Sequence, residues 1–265
     1  MEFYQLEHGL INSFNKLAET YDDITNDFTH EIIHYIHTQN MTNELPPPSK
    51  DITLLDLGGG TGKYSIILSK KGYNITLVDI SSQSLEIARK KIEKEKLLVK
   101  IINSSGENLP MENEVYDIVL MIGGVINYTP EPEKLIQECK RVLKKDGILY
   151  FDFMNTIGWG NEIPEYKFRL EIIEAKTKLI QMGDWDYPAR LFNYKFMEEI
   201  IETNGLKIKA KYGLLNATTS LPLSFRYGNE YEEEILERYK IMELELSRDK
   251  ECYGTSSSCI IIAKK

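Results

Sequence analysis

The chain has 265 residues, 42% hydrophobic and 28% charged, an ordinary globular composition long enough for one large domain or a domain with a cap. A formal net charge of −9 repels phosphate backbones and anionic lipid, which argues against nucleic acid and membrane surfaces as partners. The opening MEFYQLEHGL lacks a signal-peptide pattern, no apolar run reaches the length of a membrane span, and Cys139, Cys252 and Cys259 form no C-x-x-C pair, so a reducing cytoplasm without disulfides or structural zinc is expected.

Residues from about 10 to 40 read as helical, with Phe28, Ile32 and Ile36 on one face, and Pro46-Pro47-Pro48 ends this stretch. Residues 1–48 are therefore read as an N-terminal helical cap segment, and 49–265 as the main domain. From residue 51 strands and helices alternate. ITLLDLG, NITLVDI, LVKIINS, YDIVLMIGG and GILYFDFMN read as strands. Helices follow around Ile67, around Leu85–Ile92, and over PEKLIQECKRVLKK, which is expected to stop at Asp146-Gly147. Near-continuous apolar strands separated by amphipathic helices predict an α/β, Rossmann-like fold: a mostly parallel sheet with helices on both faces.

Two stretches interrupt the alternation. Residues 155–191 carry Trp159, Trp185, Tyr187 and Arg190, and residues 214–255 carry a helix with Tyr231, Ile235, Tyr239, Met242 and Leu246 on one face. Between them FNYKFMEEIIETNG reads as a helix and LKIKAKYG as a strand. SSSCIIIAKK follows without a standard crossover helix, so seven strands are expected, the last antiparallel. The N-terminal helices and both interruptions are expected to converge as a cap above the carboxyl ends of the strands, with a homodimer contact as the other use of the 231–246 stripe.

The most informative segment is LLDLGGGTGKYS at 54–65, a buried strand, a glycine turn and a helix start. Gly58, Gly60 and Gly62 let backbone turn tightly and approach a ligand, and the following helix N-terminus carries partial positive charge. A dinucleotide fingerprint beginning at Gly58 needs glycine at 63, where Lys63 stands, and a phosphate loop needs Ser or Thr at Tyr64. The acid Asp56 inside the motif suits an ammonium-bearing ligand better than pyrophosphate. Asp79 ends the second strand about 20 residues on, where an acid accepts hydrogen bonds from ribose hydroxyls, leaving helix capping to Ser81 or Ser82.

These segments resemble the class I S-adenosylmethionine (SAM)-dependent methyltransferases, especially the small-molecule branch of ubiquinone and menaquinone biosynthesis. FNKLAETYDD, LLDLGGGTGKYS, LVDIS, SGENLP with VYDIVL, and LIQECKRVLKKDGILYFDF match that branch in order, from about residue 14 to the end of the chain. The resemblance implies SAM as cofactor, S-adenosylhomocysteine as product, a small-molecule methyl acceptor, and no metal. It places Asp56, Gly58 and Gly60 at the methionine part of SAM, Asp79 at the ribose and Ile80 on the adenine. Gly106 and Glu107 flank the adenine edge, the Met121 backbone lies under the sulfonium, and Tyr21 closes over the amino-acid end. Ser105 stands where the family usually has an aspartate for the adenine amino group.

Methyl transfer from SAM is an in-line displacement that orientation and water exclusion promote, so no fixed triad is required. GGVINYT puts Asn127 and Tyr128 beyond the carboxyl end of the fourth strand, as candidates to orient the acceptor. His30, His34 and His37 share a helical face and are read as a stripe rather than a metal site, and Cys139 as core. Other readings are a peptide or protein acceptor, a SAM-binding protein without turnover, and an NAD-dependent dehydrogenase, against which Lys63 counts.

Overall fold

The computed structural model describes residues 3–163, 165–181 and 187–265. The expected N-terminal helical stretch is divided into α1 (Phe3–Leu17), α2 (Tyr21–Ile24) and α3 (Phe28–Glu44). The break before α3 is local chemistry: Asp27 is extended and accepts the His30 N–H at 2.8 Å, satisfying an amide the helix start leaves free.

The alternating region follows as β1 (Thr53–Leu57), α4 (Lys63–Lys71), β2 (Asn74–Asp79), α5 (Ser82–Lys94), β3 (Val99–Asn103), β4 (Tyr116–Met121), α6 (Val125–Tyr128), α7 (Pro132–Val142) and β5 (Leu143–Met154). Then come α8 (Thr156–Asn161), α9 (Tyr166–Glu174), β6 (Thr177–Ile180), β7 (Ala189–Phe192), α10 (Tyr194–Thr203), β8 (Lys207–Leu214), α11 (Leu223–Arg226), α12 (Glu233–Arg248) and β9 (Ser258–Lys264). Helix α7 stops at Val142, four residues before the expected Asp146-Gly147. Leu143 is already extended and pairs with Tyr116, so Lys144–Gly147 form an irregularity in the β4–β5 pairing, with Asp146 at φ 63°, rather than a helix end.

Among the described residues the main sheet has seven strands in the order β3-β2-β1-β4-β5-β9-β8. β1 to β5 pair in parallel, and β9 runs antiparallel to both β5 and β8, as expected from the missing crossover. β6 and β7 form a separate antiparallel pair in the first interruption.

Consecutive strand residues point to opposite faces, and both faces are buried. On one face Leu55, Val119, Phe151 and Ile261 meet Leu135 and Cys139 of α7 and Met197 of α10. On the other, Leu54, Ile118, Tyr150 and Ile260 meet Ile32 and Ile36 of α3, Leu68 of α4 and Leu236 of α12. The structure thus places α3 and α12 in a layer against the sheet. The aromatic stripe packs on α3, although Tyr231, expected on the helix, lies just before α12: its ring and that of Tyr239 on α12 each stand 5.4 Å from that of Phe28. That contact, not a cap over the strand ends, absorbs the apolar face of the 214–255 interruption. Among the described residues no helix is long and apolar enough to cross a membrane.

Candidate active site

The glycine loop leaves β1 and enters α4 with Gly58 at φ 72° and Gly60 at φ 53°, a region that L side chains rarely adopt. A Cβ on Gly58 would lie 2.5 Å from Val125 Cγ2, so the loop seats directly on α6. A Cβ on Gly60 would meet nothing within 4 Å, because that position opens onto a pocket.

Asp79 fastens the loop from the end of β2. One carboxylate oxygen accepts the Gly60 N–H at 2.9 Å and the other the Ser81 N–H at 2.8 Å. Burial holds this carboxyl above the usual carboxylate range, against the pull of those amides. Ser81 caps α5 by accepting the Ser84 N–H, and its hydroxyl is 2.8 Å from Asn15 Oδ1, which anchors α1 over the same strand end. Helix α2 is latched beside it: the Thr61 hydroxyl donates to Asp22 at 2.7 Å, and Lys91 pairs with the other Asp22 oxygen. Partial burial opposes ionisation of Asp22, but the hydrogen bonds from Lys91 and Thr61 prevail and hold it below its ordinary value. Next to it, Tyr21 faces the pocket with its phenol pushed up to about 12 by burial and by Asp79, Asp152 and Asp22.

Beyond β3, Glu107 is nearly buried and accepts hydrogen bonds from the hydroxyls of Ser105 and Thr129. Beyond β4, Gly123 and Gly124 both adopt positive φ, and their N–H groups donate to one oxygen of Asp152 at 3.0 and 2.9 Å. In α6, Asn127 is a strut: it accepts the Met154 N–H at 3.0 Å and donates to the Arg190 carbonyl at 2.6 Å, tying β5 to β7. Tyr128 packs edge-on against Phe14 of α1 with ring centres 5.3 Å apart, and burial, then Tyr21 and Asp152, push its phenol well up.

The pocket encloses about 800 Å³ of free space, part of it open to solvent. Of the residues singled out in the sequence, Tyr21, Gly58, Gly60, Asp79, Ile80, Gly106, Glu107 and Tyr128 line it. Asp56, Ser105, Met121 and Asn127 stand outside the lining. Asp56 is buried below the loop, where the Ser65 hydroxyl donates to it at 2.6 Å, and Met121 faces Cys139 in the core. Leu10 and Phe14 of α1 also line it, and Ser104, Ile122, Gly123, Val125 and Thr129 are among the other wall residues. Leu10 and Phe14 are four residues apart on one helix face, a spacing that the sequence displays. Gly123-Gly124 after a strand was likewise visible, but its acid partner Asp152 was hidden inside an apolar run.

The interruptions contribute unequally. Tyr187 and Ala189 pack with Leu10 and Tyr128 beside the pocket. Trp159 lies on α8 outside the lining, no described lining residue comes from 214–255, and Trp185 lies outside the described residues. The histidines serve different neighbours: His30 bonds Asp27, His34 stacks near Tyr64, and the fully buried His37 meets Tyr150 and Asp152.

Burial, reinforced by the charge of Asp79 and opposed by the Ser65 hydrogen bond, raises Asp56 from 3.8 to about 6. A carboxyl raised in the folded state favours the fold below its unfolded value, and that contribution is lost as pH climbs through the folded value. The Asp56→Asn variant should therefore gain on the wild type by about 2–3 kcal/mol between pH 3.5 and 7. Urea melts of both proteins across that window check it; a difference that stays flat with pH refutes the assignment.

A family model described as a methyltransferase domain matches residues 55–151, from within β1 to β5. An uncharacterized protein of Methanocaldococcus jannaschii is 27% identical over 77% of this chain and 94% of its own length. A ubiquinone biosynthesis O-methyltransferase of Actinobacillus pleuropneumoniae is 26% identical over 69% of this chain and 80% of its own. In fold, the chain is similar to a SAM-dependent methyltransferase of Thermotoga maritima, with a TM-score of 0.61 at 19% identity, covering 97% of this chain and 99% of that one.

Proposed function

We propose that this chain is a class I SAM-dependent methyltransferase, which transfers the methyl group of SAM to an O, N or C atom of a small-molecule acceptor. The observation that carries this reading is the chemistry of the pocket wall. Among its described lining residues it has two carboxylates, Asp79 and Glu107, and no lysine or arginine, and it opens where Gly60 leaves room for a ligand. Such a wall suits a cationic nucleoside and is a poor neighbour for the pyrophosphate of NAD.

In this reading Asp79 takes the ribose hydroxyls, Ile80 packs on the adenine, and Ser105, Gly106 and Glu107 form its edge. Gly58 and Gly60 hold the methionine end through their backbone, with Asp56 supporting the loop from beneath. The Met121 backbone lies under the sulfonium region, and Tyr21 covers the amino-acid end. Bound SAM supplies an activated methyl group on a leaving group that departs neutral. The chain's own contribution is orientation and exclusion of water. Leu10, Phe14 and Tyr128 give the acceptor an apolar, aromatic wall, which favours a small molecule over an extended peptide. Tyr128, a neutral phenol at physiological pH, orients the acceptor as a hydrogen-bonding group and not as a phenolate base. Asn127 keeps α6 in register with β5 and β7, so it acts on the acceptor through Tyr128. The likeness to a ubiquinone biosynthesis O-methyltransferase supports a small-molecule acceptor over a peptide.

Two measurements test the proposal. Calorimetry should give SAM and S-adenosylhomocysteine binding and none for NAD. Incubation with methyl-labelled SAM and cell extract should then place label in the small-molecule fraction. Tight NAD binding without SAM binding ends the proposal, and label confined to protein moves the acceptor to a peptide side chain.

A further inference from the structure

Asp152 lies on β5 behind the pocket floor, buried and outside the pocket lining. One of its oxygens accepts the N–H groups of Gly123 and Gly124, and the other faces His37 Nε2 at 3.4 Å. The His37 Nδ1 is 2.9 Å from the Tyr150 hydroxyl. Burial, with Tyr64 and Asp152 adding to it, keeps the Tyr150 phenol protonated, so that hydroxyl can donate to Nδ1 and leave the Nε2–H toward the carboxylate.

Gly123 itself lines the pocket. Its Cα, bonded to the donating nitrogen, lies within about 4.5 Å of the Asp152 oxygen. A ligand atom in contact with Gly123 is then on the order of 6–8 Å from the charge. We propose, resting on the SAM reading above, that Asp152 is a positioning residue whose charge, delivered through the Gly123-Gly124 turn, makes the pocket prefer the cationic methyl donor over its neutral demethylated product. After burial and nearer neighbours, the same carboxylate contributes to the raised phenols of Tyr21 and Tyr128, both on the pocket wall, so its field reaches the ligand space. The consequence is a built-in aid to turnover: loss of the ligand's positive charge weakens its hold at the floor of the pocket.

The test compares the SAM-to-S-adenosylhomocysteine affinity ratio in wild type and Asp152→Asn. Asparagine keeps an oxygen for both glycine amides and removes the charge. The ratio should fall by about tenfold at low salt, as expected for one charge at this distance in a partly polar interior. An amine analogue, with a protonated nitrogen in place of the sulfonium, should follow SAM and not the product. Asp152→Ser supplies a second neutral variant should the first not fold. A purely structural role lowers both affinities together and leaves the ratio unchanged, and that result overturns the proposal. If wild type binds neither compound, the SAM reading itself has failed.

Discussion

Replacing Asp79 with alanine is expected to weaken SAM binding by about 2–3 kcal/mol, roughly 30–150-fold, while the unliganded protein melts within a few degrees of wild type. Asp79 is the carboxylate at the end of β2 that receives the Gly60 and Ser81 amides and faces the pocket. In the proposed binding mode its removal costs the ligand two hydrogen bonds to a charged acceptor and releases Gly60, beside which ligand space is open. Removal of a carboxyl already raised by burial also relieves a desolvation cost, so the apo stability changes little. Calorimetry and a thermal melt separate the two effects. Unchanged affinity would remove Asp79 from the site; a collapsed melt would make it a structural residue.

The largest effect on stability is expected at Gly158, in the short helix α8 that opens the first interruption. A Cβ there would lie 2.0 Å from the Ser256 carbonyl oxygen and 2.5 Å from Ser257 Cα, both backbone atoms that no rotamer change can move. Asn155 clamps the same backbone, donating to the carbonyls of Gly254 and Ser256 at 2.9 and 3.0 Å. Gly158→Ala must therefore push α8 away from the segment that leads into β9, at a cost of about 3 kcal/mol or more, and lower Tm by roughly 6–12 °C. A scanning calorimetry trace matching wild type would mean that α8 does not rest on that segment. Binding of SAM should recover part of the loss, since α8 is remote from the nucleoside end of the pocket.

Where sequence and structure agree, the determinants are local. The Asp56-to-Gly62 turn, Asp79 at a strand end, Ser81 as the cap of α5 and the antiparallel last strand all follow from neighbours within a few residues or from the absence of a crossover helix. The end of α7 was misjudged because Lys144 and Lys145 continue a helical pattern, and only pairing of Leu143 with Tyr116, distant in the chain, draws the segment into the sheet. The partner of the α12 stripe was illegible for the same reason. An amphipathic face declares that it is buried but not against what, and Phe28 of α3 answers that question from some two hundred residues away. Asp152 left one trace, a single acid within the buried run GILYFDFMN. A lone charge in a central strand has to be paired with something, and here its partners are two glycine amides that a one-dimensional reading treats only as a turn.

The position of β9 also bears on how the molecule is assembled. Among the described residues β8 has no neighbour in the sheet except β9, and β9 is the last strand in chain order. During synthesis β8 leaves the ribosome with both edges bare and stays so until α12 and β9 have followed it. Parallel strands β1 to β5 can associate earlier, but their open edge at β5 must also wait for the same segment. Completion of the sheet is thus a late, long-range event. The interval before it exposes the β5 edge and both edges of β8, each a template for wrong pairing between nascent chains. A slowed translation rate or a chaperone that shields these edges should raise the yield of native protein more than any change in the pocket.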